Sequence, residues 1–384
     1  MSGPAHLRSR QPRVAIVADS MTQRGGAERC IEAFAEAFPD APIYCIVYSA
    51  VTGPTSLESR VIPSWLDRIP GARKRHRLFF PLFPSAVESF PLENFDVILS
   101  SHHSAAKGVI RSADQVHVCY CHTPMRVLWE RSNAELRTLP GFVRPFAGLL
   151  LSGLRIWDYC AAARVDVFVA NGRVTQRRIA KHYGRSSLIL NPPIDVERFT
   201  PGSSVGDYYL VASRPVPYKR IDIAIEAAEM TGRPLYVVGG YKPTRAHSPN
   251  IRILGHVSDA ELIDLMRGAK ALLFPPDEDF GMTVLEMNAC GRPVIAFGAG
   301  GALESVIDGK TGILVEEQSA RAFAAAIERF ETMHFEPSML RLHAEQYSRS
   351  AFIASIQRIV ANAYRGTNRR HYDETDLHSL VAVH

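Results

Sequence analysis

Short apolar segments typical of β-strands alternate along this chain with segments of helical periodicity, and the alternation occurs in two separate series. The first series has strand segments near residues 13–18, 43–48, 96–100, 116–121 and 166–170. The second has them near residues 208–213, 235–238, 251–254, 271–274, 293–296 and 312–315. Since strands joined through helices pair in parallel, each series predicts a parallel sheet covered by helices on both faces.

Between the two series lies a segment, residues 191–202, in which proline and glycine interrupt the periodicity. We therefore predict an α/β protein with two doubly wound, Rossmann-like domains at residues 12–195 and 203–345. A helical segment follows at residues 350–366, and residues 367–384 are expected to form a flexible tail. Such sheets bind ligands beyond the carboxyl ends of their strands, so we expect an active site in a cleft between the domains.

The composition is that of an ordinary globular protein, with 46% hydrophobic and 22% charged residues in a chain of 384. We expect a cytoplasmic protein, because no apolar run reaches the length of a membrane span and the first residues lack the apolar centre of a secretion signal. The six cysteines show no C-x2-C spacing. They are expected to be reduced core thiols, with no metal site.

A basic segment precedes an aromatic one at residues 68–83, although the net charge of the whole chain is only +5. Basic side chains beside aromatic ones favour contact with an anionic membrane or a lipid diphosphate, which would place the protein peripherally at the inner face of the plasma membrane. The alternative is a solvated loop next to a buried segment. Nucleic acid is a weaker interpretation, because no recognised nucleic-acid-binding motif accompanies the segment.

The segment from Phe274 to Leu303 contains the strongest candidates for binding and catalytic residues. Two prolines end a strand there, acidic residues fill the turn, and Gly281 opens a helix. The first amides of that helix favour an anion such as a diphosphate. Glu286, one turn into the helix, is placed to accept hydrogen bonds from sugar hydroxyls, with Glu278 at the mouth. Alternatively, Glu278 is a solvent-exposed residue of the first turn with no role in binding, and Glu286 forms an ion pair with Arg292.

Read whole, this segment, with EDFGMTVLE followed by GRPVIA, resembles the donor-site signature of the retaining GT-B glycosyltransferases of family 4. The chain departs from that signature at Asp279, where the family usually has glycine, and this puts fine contacts with the donor sugar in doubt. The resemblance implies two domains facing across a cleft, with the terminal helix completing the first domain. It also implies that Glu278 positions the sugar, as do the helix-start residues Phe280, Gly281, Met282 and Leu285.

Other parts of the chain match the same family. Arg214 and Lys219 follow the first strand of the second domain, where fixed cations would stabilise a departing diphosphate. By resemblance, Gly25 and Gly26 close over that diphosphate, and backbone groups near Val257 meet the nucleobase. His122, at a strand exit, is the preferred first-domain catalytic residue, with His102 and His103 in reserve.

The motif HTPMR at residues 122–126 resembles the subset of the family that uses GDP-mannose or related GDP sugars. The predicted function is therefore retaining transfer of a hexose to a glycan or polyprenyl-diphosphate-linked acceptor in cell-surface polysaccharide assembly. The resemblance implies no protein nucleophile, and we predict no divalent metal and no cofactor. A UDP-sugar donor and a non-catalytic sugar-nucleotide-binding subunit remain open. An NAD-dependent oxidoreductase is weaker, because the glycine turn at residues 298–303 lacks the last glycine of the dinucleotide fingerprint.

Overall fold

The computed structural model describes residues 11–23, 25–137 and 139–368. These residues form thirteen strands. In chain order, β1 to β13 are Val14–Met21, Ile43–Tyr48, Val61–Pro63, Val97–His102, Val116–Cys121, Val167–Ala170, Leu188–Ile189, Tyr209–Ala212, Leu235–Val238, Ile251–Gly255, Leu272–Phe274, Val294–Phe297 and Gly312–Val315.

Helices connect most of these strands. In chain order, α1 to α14 are Gly26–Ala37, Ala72–Arg75, Phe83–Glu88, Arg126–Trp129, Ser132–Arg137, Arg144–Ala162, Arg173–Tyr183, Ile221–Thr231, Asp259–Gly268, Met282–Ala289, Ala302–Ser305, Ala320–Phe330, Pro337–Glu345 and Arg349–Asn368. Short 3-10 helices occur at Thr55–Arg60, Trp65–Arg68, His76–Leu82, Ala106–Gly108 and Pro217–Lys219.

The strands form two wholly parallel sheets, one in each of two compact units. The first unit comprises the described residues up to Asn171, Thr175–Leu190 and the described residues from Ile353 onward; the second comprises Gly172–Val174 and Asn191–Phe352. The first sheet has the order β3-β2-β1-β4-β5-β6-β7 and the second the order β10-β9-β8-β11-β12-β13. Two parallel-sheet, Rossmann-like domains are thereby confirmed, while the cleft between them stays a prediction.

Both faces of the second sheet are buried, because successive side chains of each strand point in opposite directions. Leu272 and Phe274 pack with α9, α10 and α13 in one hydrophobic cluster, whereas Leu273 packs with α8 and α12 in another. Continuous apolar strands are the sequence signature of this arrangement. Its consequence is that functional groups are left to the loops at the strand ends.

The first sheet is built in the same way. Ala15 and Val17 of β1 pack against α3, while Cys119 and Cys121 of β5 pack against α7. All six cysteines are free and five are buried, as expected for core thiols, but Cys160 on α6 is exposed. The prediction for this cysteine was therefore wrong.

The terminal helix α14 begins in the second unit and continues in the first from Ile353 onward. There Gln357 Nε2 donates to the carbonyl oxygen of Ala37, at the end of α1, over 2.8 Å. The helix runs two residues beyond the predicted limit of 366. The rest of the predicted tail, residues 369–384, lies outside the described residues.

Candidate active site

In the second sheet the strand order reverses between the neighbouring strands β8 and β11, from which the chain winds in opposite directions. The loops that leave the carboxyl ends of two such strands diverge and leave room for a ligand. Arg214 and Lys219 lie in the loop after β8, and Glu278 lies in the loop after β11. The structure thus assembles the predicted donor-site residues from two distant parts of the sequence.

The Lys219 ammonium contacts the Glu278 carboxylate directly, and both side chains are partly open to solvent, at 16% and 18% exposure. Burial, followed by repulsion from Arg214, lowers the pKa of Lys219 to about 8. The adjacent carboxylate acts in the opposite sense, because it favours the charged amine. Lys219 is therefore a predominantly charged lysine at neutral pH, and its charge is sensitive to what lies beside it.

The turn that presents Lys219 is sharp. Arg220, which follows it, has a φ of 48°, and it is the one residue other than glycine with a positive φ in the described ranges. Its guanidinium donates to the Asp222 carboxylate over 3.0 Å. A non-glycine residue in this region costs about 1–3 kcal/mol, and such strain is concentrated at functional sites. The strained residue, Arg220, thus lies between Lys219 and Ile221, the first residue of α8.

Helix α10 begins at Met282, immediately after Gly281, whose φ of 81° reverses the chain. Gly281 occupies the N-cap position and offers no side-chain cap to the first amides of this helix, which lie beyond the end of β11. Phe280 and Leu285 are buried in the core below, and Glu286 is also buried. The anion-favouring helix start predicted from the sequence is present, and the roles of these residues stay predictions.

The glycine turn at residues 298–301 packs against the loop that carries Glu278. The Gly301 amide donates to the Glu278 carbonyl oxygen over 2.7 Å. A Cβ atom on Gly301 would lie 2.1 Å from the Phe280 Cα, and one on Gly300 would lie 2.2 Å from the Glu278 carbonyl oxygen. These glycines are thus explained by close packing of two loops, a role that the sequence analysis missed.

Arg292 does not form the ion pair with Glu286 that was considered as an alternative. Its guanidinium donates instead to the carbonyl oxygens of Arg267 and Ser204, over 2.7 and 2.9 Å. Val257, the predicted nucleobase contact, is half-buried just before the Ser258 cap of α9.

The first sheet also reverses its order, between β1 and β4, and polar side chains gather at that edge. His122, after β5, is half-buried, with Nε2 2.9 Å from the Ser101 hydroxyl. Burial and the nearby His103 lower the pKa of His122 to about 3, so its imidazole is neutral at physiological pH. It can exchange hydrogen bonds with a sugar but carries no charge.

The two reserve histidines differ sharply. His102 is fully buried and its Nδ1 accepts a hydrogen bond from the Lys107 amide, so it is not available to a ligand. His103 is 43% exposed on its side chain, with Nδ1 3.3 Å from the Asp19 carboxylate. A carboxylate behind an exposed imidazole fixes the orientation of the ring.

Asp19, which the sequence analysis overlooked, organises this edge of the sheet. Its buried carboxylate accepts hydrogen bonds from the amides of residues 103–106 and from the Ser104 hydroxyl, at 2.6–2.9 Å. Burial alone would raise the pKa of Asp19, but the nearby histidines and these hydrogen bonds hold it well below its ordinary value. The only sequence signal was an acidic residue at the end of an otherwise apolar strand.

Gly25 and Gly26 lie at the start of α1, beyond the end of β1, with Gly25 as the extended N-cap residue. A Cβ atom on Gly25 would lie 3.0 Å from a carboxylate oxygen of Glu28. The structure thus places these glycines at a second helix start on a strand exit. Their contact with a donor stays a prediction.

Comparison with known families adds independent information. Residues 24–198 match the model of glycosyltransferase family 4, and residues 196–350 match the model of glycosyl transferases group 1. The two matches adjoin and together cover most of the chain. The chain belongs to the family 4, group 1 glycosyltransferases. Gly25, Gly26 and His122 lie within the first match of this glycosyltransferase, and the candidate residues from Arg214 to Glu286 lie within the second.

Curated relatives of this glycosyltransferase share about 30% identity over part of its length. A D-inositol 3-phosphate glycosyltransferase of Geodermatophilus obscurus is 31% identical over 203 residues, or 43% of this chain and 45% of the relative. A GDP-mannose-dependent alpha-(1-6)-phosphatidylinositol monomannoside mannosyltransferase of Mycolicibacterium smegmatis is 30% identical over 203 residues, or 42% and 52%. The matched segment spans about half the length of these relatives.

Among solved structures, Anabaena HepE in complex with UDP-glucose superposes with a TM-score of 0.67 at 18% identity, over 92% of this chain and 100% of HepE. The sucrose-phosphate synthase of Thermosynechococcus elongatus superposes with a TM-score of 0.63 at 15% identity, over 92% and 100%. At these identities the likeness concerns the fold, and the fold is that of the GT-B glycosyltransferases.

Within the described ranges of this glycosyltransferase, no helix is both long and apolar enough to cross a bilayer. Nor, in that part of the chain, do three or more histidine, cysteine or acidic side chains gather in a way that would hold a metal ion. Metal-independent transfer stays a prediction.

Proposed function

We propose that this chain is a retaining glycosyltransferase whose second domain binds a sugar nucleotide through its diphosphate. The contact between Lys219 and Glu278 at the β8/β11 switch point carries the proposal. A partly exposed ammonium, an adjacent Arg214 and the first amides of α10 form a positive edge suited to a diphosphate. Glu278 holds the ammonium in place until the diphosphate arrives and then faces the sugar.

Transfer proceeds as the bond between the anomeric carbon and the diphosphate oxygen breaks, leaving the electron pair on that oxygen. Lys219, Arg214 and the α10 amides stabilise the charge that develops there. The acceptor hydroxyl forms the new bond from the same face of the sugar and gives its proton to the departing diphosphate. Glu286 accepts hydrogen bonds from the ribose hydroxyls, and no side chain acts as a nucleophile.

In the first domain, His122 hydrogen-bonds the donor sugar as a neutral imidazole, because its pKa of about 3 precludes a cationic role at neutral pH. The Asp19–His103 pair lies at the same sheet edge and has an exposed ring. His122 remains the preferred first-domain residue. Of the two reserves, His103 is retained and the buried His102 is not.

We favour GDP-mannose or a related GDP sugar as the donor. The HTPMR motif and the name of the Mycolicibacterium mannosyltransferase support that choice. A UDP sugar is the alternative, supported by the UDP-glucose complex of HepE. The acceptor is a glycan or a polyprenyl-diphosphate-linked glycan in cell-surface polysaccharide assembly, and the transfer takes place on the cytoplasmic side of the membrane.

A donor panel tests this proposal. The purified full chain is mixed with GDP and UDP sugars in the presence of EDTA, and thermal shift and release of free nucleotide are measured. We expect stabilisation and slow donor hydrolysis with one nucleotide class, and a product of retained anomeric configuration by NMR. Stabilisation by NAD alone would favour an oxidoreductase. Binding without turnover on any acceptor would favour a sugar-nucleotide-binding subunit.

A further inference from the structure

Helix α6 presents an apolar face to solvent. Its outward side chains, with that of Phe142 just before it, are large and hydrophobic, whereas Leu154 faces inward and is buried. The outward residues and their exposures are Phe142 81%, Phe146 76%, Leu149 76%, Ile156 67%, Tyr159 55% and Leu150 46%. Monomeric proteins rarely expose a contiguous apolar patch of this kind unless it meets a partner.

The outward residues follow the helical repeat. Spacings of seven and four residues align Leu149, Ile156 and Cys160 along one line of the helix. The inward residues Leu151 and Leu154 share a hydrophobic cluster with Phe80, which lies in the 3-10 helix His76–Leu82. Leu78 of that 3-10 helix is 71% exposed. The segment that packs under α6 therefore carries an exposed apolar side chain of its own.

Arginines border this face. Arg144 donates to the carbonyl oxygens of Leu139 and Arg137, and Arg155 donates to that of Leu128. None of the three arginines Arg137, Arg144 and Arg155 forms an ion pair within the part of the chain that is described. The one acid of α6, Asp158, is buried and bound to Lys107. The exposed side chains that α6 contributes here are thus apolar or positive. The carboxylate of Glu88 meets α6 at Trp157 and is paired with Arg164.

The aromatic residues of the segment 68–83, which the sequence analysis assigned to the membrane, largely point into the protein. Phe79 and Phe80 are half-buried and Phe83 is buried. These rings therefore present little apolar surface to lipid, although the neighbouring Lys74 and Arg75 are exposed. The apolar surface available to a bilayer therefore lies mainly on α6.

We infer that α6 lies in the interfacial layer of an anionic lipid bilayer, with its outward apolar residues among the lipid chains and its bordering cations at the headgroups. An apolar face with a basic border is the pattern of interfacial helices, and negative headgroups complement the positive border. Pairing of this face with itself in a symmetric dimer would bring the basic borders of two copies together. The inference goes beyond the proposed transfer reaction and does not depend on it.

Cys160 provides a direct probe, because it is the exposed cysteine and the other five are buried. The full chain is labelled at Cys160 with an environment-sensitive bimane and titrated with phosphatidylcholine vesicles containing about a third phosphatidylglycerol. We expect a blue shift with the anionic vesicles and little change with pure phosphatidylcholine. The shift should weaken at high salt, because the headgroup attraction is screened.

The substitution Leu149→Glu should weaken vesicle binding, measured by co-sedimentation, at least about tenfold, because a charge replaces an inserted apolar side chain. Leu342→Glu on α13, at another surface-exposed leucine in the second domain, is the control and should bind as the unchanged protein does. Circular dichroism checks that both variants fold.

Two results would overturn the inference. One is vesicle binding that is unaffected by Leu149→Glu in a folded protein. The other is a protein that ignores vesicles but sediments as a dimer that Leu149→Glu dissociates, which would assign the face to a second copy of this chain. Neither result bears on donor binding, which is measured without lipid.

Discussion

Each domain contains a lysine paired with a carboxylate, but the two pairs differ in their surroundings. In the first domain, Lys107 Nζ lies 2.5 Å from Asp158 Oδ1, and both side chains have 0% exposure. Trp129 Nε1 and the Tyr183 hydroxyl donate to the other oxygen of Asp158, over 2.7 and 3.0 Å. In the second domain, Lys219 and Glu278 lie in two neighbouring loops, and their side chains keep 16% and 18% exposure.

The difference in exposure suggests different roles for the two lysines: the buried one stabilises the fold, and the partly exposed one is proposed to act on a ligand. The Lys107–Asp158 pair has protein partners on every side, including the Tyr183 ring 4.8 Å from the lysine nitrogen, so it holds α6, α7 and the β4–β5 loop together. The Lys219–Glu278 pair joins the loops after β8 and β11, and because it is partly exposed it can exchange one partner for an incoming anion. We expect the first pair to affect folding and the second to affect chemistry.

The largest expected effect is on stability, from Lys107→Met. This change leaves the Asp158 carboxylate buried without its counter-charge and should lower the free energy of unfolding by about 3–5 kcal/mol. Urea unfolding followed by circular dichroism measures it. The double variant Lys107→Met/Asp158→Leu should recover much of the loss, because no unpaired charge remains. A single variant that loses less than about 1 kcal/mol would show that the buried pair is dispensable.

The second effect is on catalysis, from Lys219→Met. Loss of one cation that stabilises a leaving group lowers kcat by about 10²–10³-fold, whereas a partly exposed ion pair contributes about 0–1 kcal/mol to stability. Steady-state transfer assays and urea unfolding measure both quantities. Lys310→Met, at an exposed lysine of the same domain, is the control and should change neither. An equally large fall in stability would place Lys219 in the same class as Lys107.

Two glycines, Gly301 and Gly153, are expected to respond in opposite ways to substitution by alanine. Gly301→Ala should destabilise the protein by about 1–3 kcal/mol and weaken donor binding, because the new methyl group collides with Phe280. Gly153→Ala, inside α6, meets open space and should stabilise by about 0.5–1 kcal/mol. Unfolding and donor titrations of the two variants test this. Unchanged donor binding in Gly301→Ala would remove the loop contact from the site.

The smallest effect is on pH dependence. The Lys219 pKa of about 8 lies below its ordinary value, so its ammonium is present below pH 8 and is lost as the pH rises through that value. Donor affinity should therefore fall above pH 8, by less than about tenfold per pH unit. Lys219→Arg, which stays charged, should flatten this part of the profile. Isothermal titration between pH 7 and 9.5 gives the comparison, and an identical decline in both proteins would exclude Lys219 as its cause.

The sequence predicted the architecture because parallel strands buried on both faces are uniformly apolar. It missed β3 and β7, which are edge strands of three and two residues, Val61–Pro63 and Leu188–Ile189, too short to show a period. It also gave no warning that α6 is exposed. From sequence alone, a helix with many apolar residues is predicted to be buried, because its packing partners are not known.

The candidate site was predictable where residues follow strands in a recognisable order, as with Lys219, Glu278 and the start of α10. Asp19 was not, because its partners lie more than 80 positions away in the chain. The glycines at 300 and 301 were open to misinterpretation as a nucleotide-binding turn, because their packing partner is another loop. Contacts between separate loops carry no local signature in sequence.

The most direct test of the donor site is a crystal structure of the full chain soaked with a non-hydrolysable GDP or UDP sugar. We expect a diphosphate oxygen within hydrogen-bond distance of Lys219 Nζ, near Arg214 and the first amides of α10, with Glu278 turned toward the sugar. A donor bound elsewhere, with Lys219 still against Glu278, would contradict this expectation.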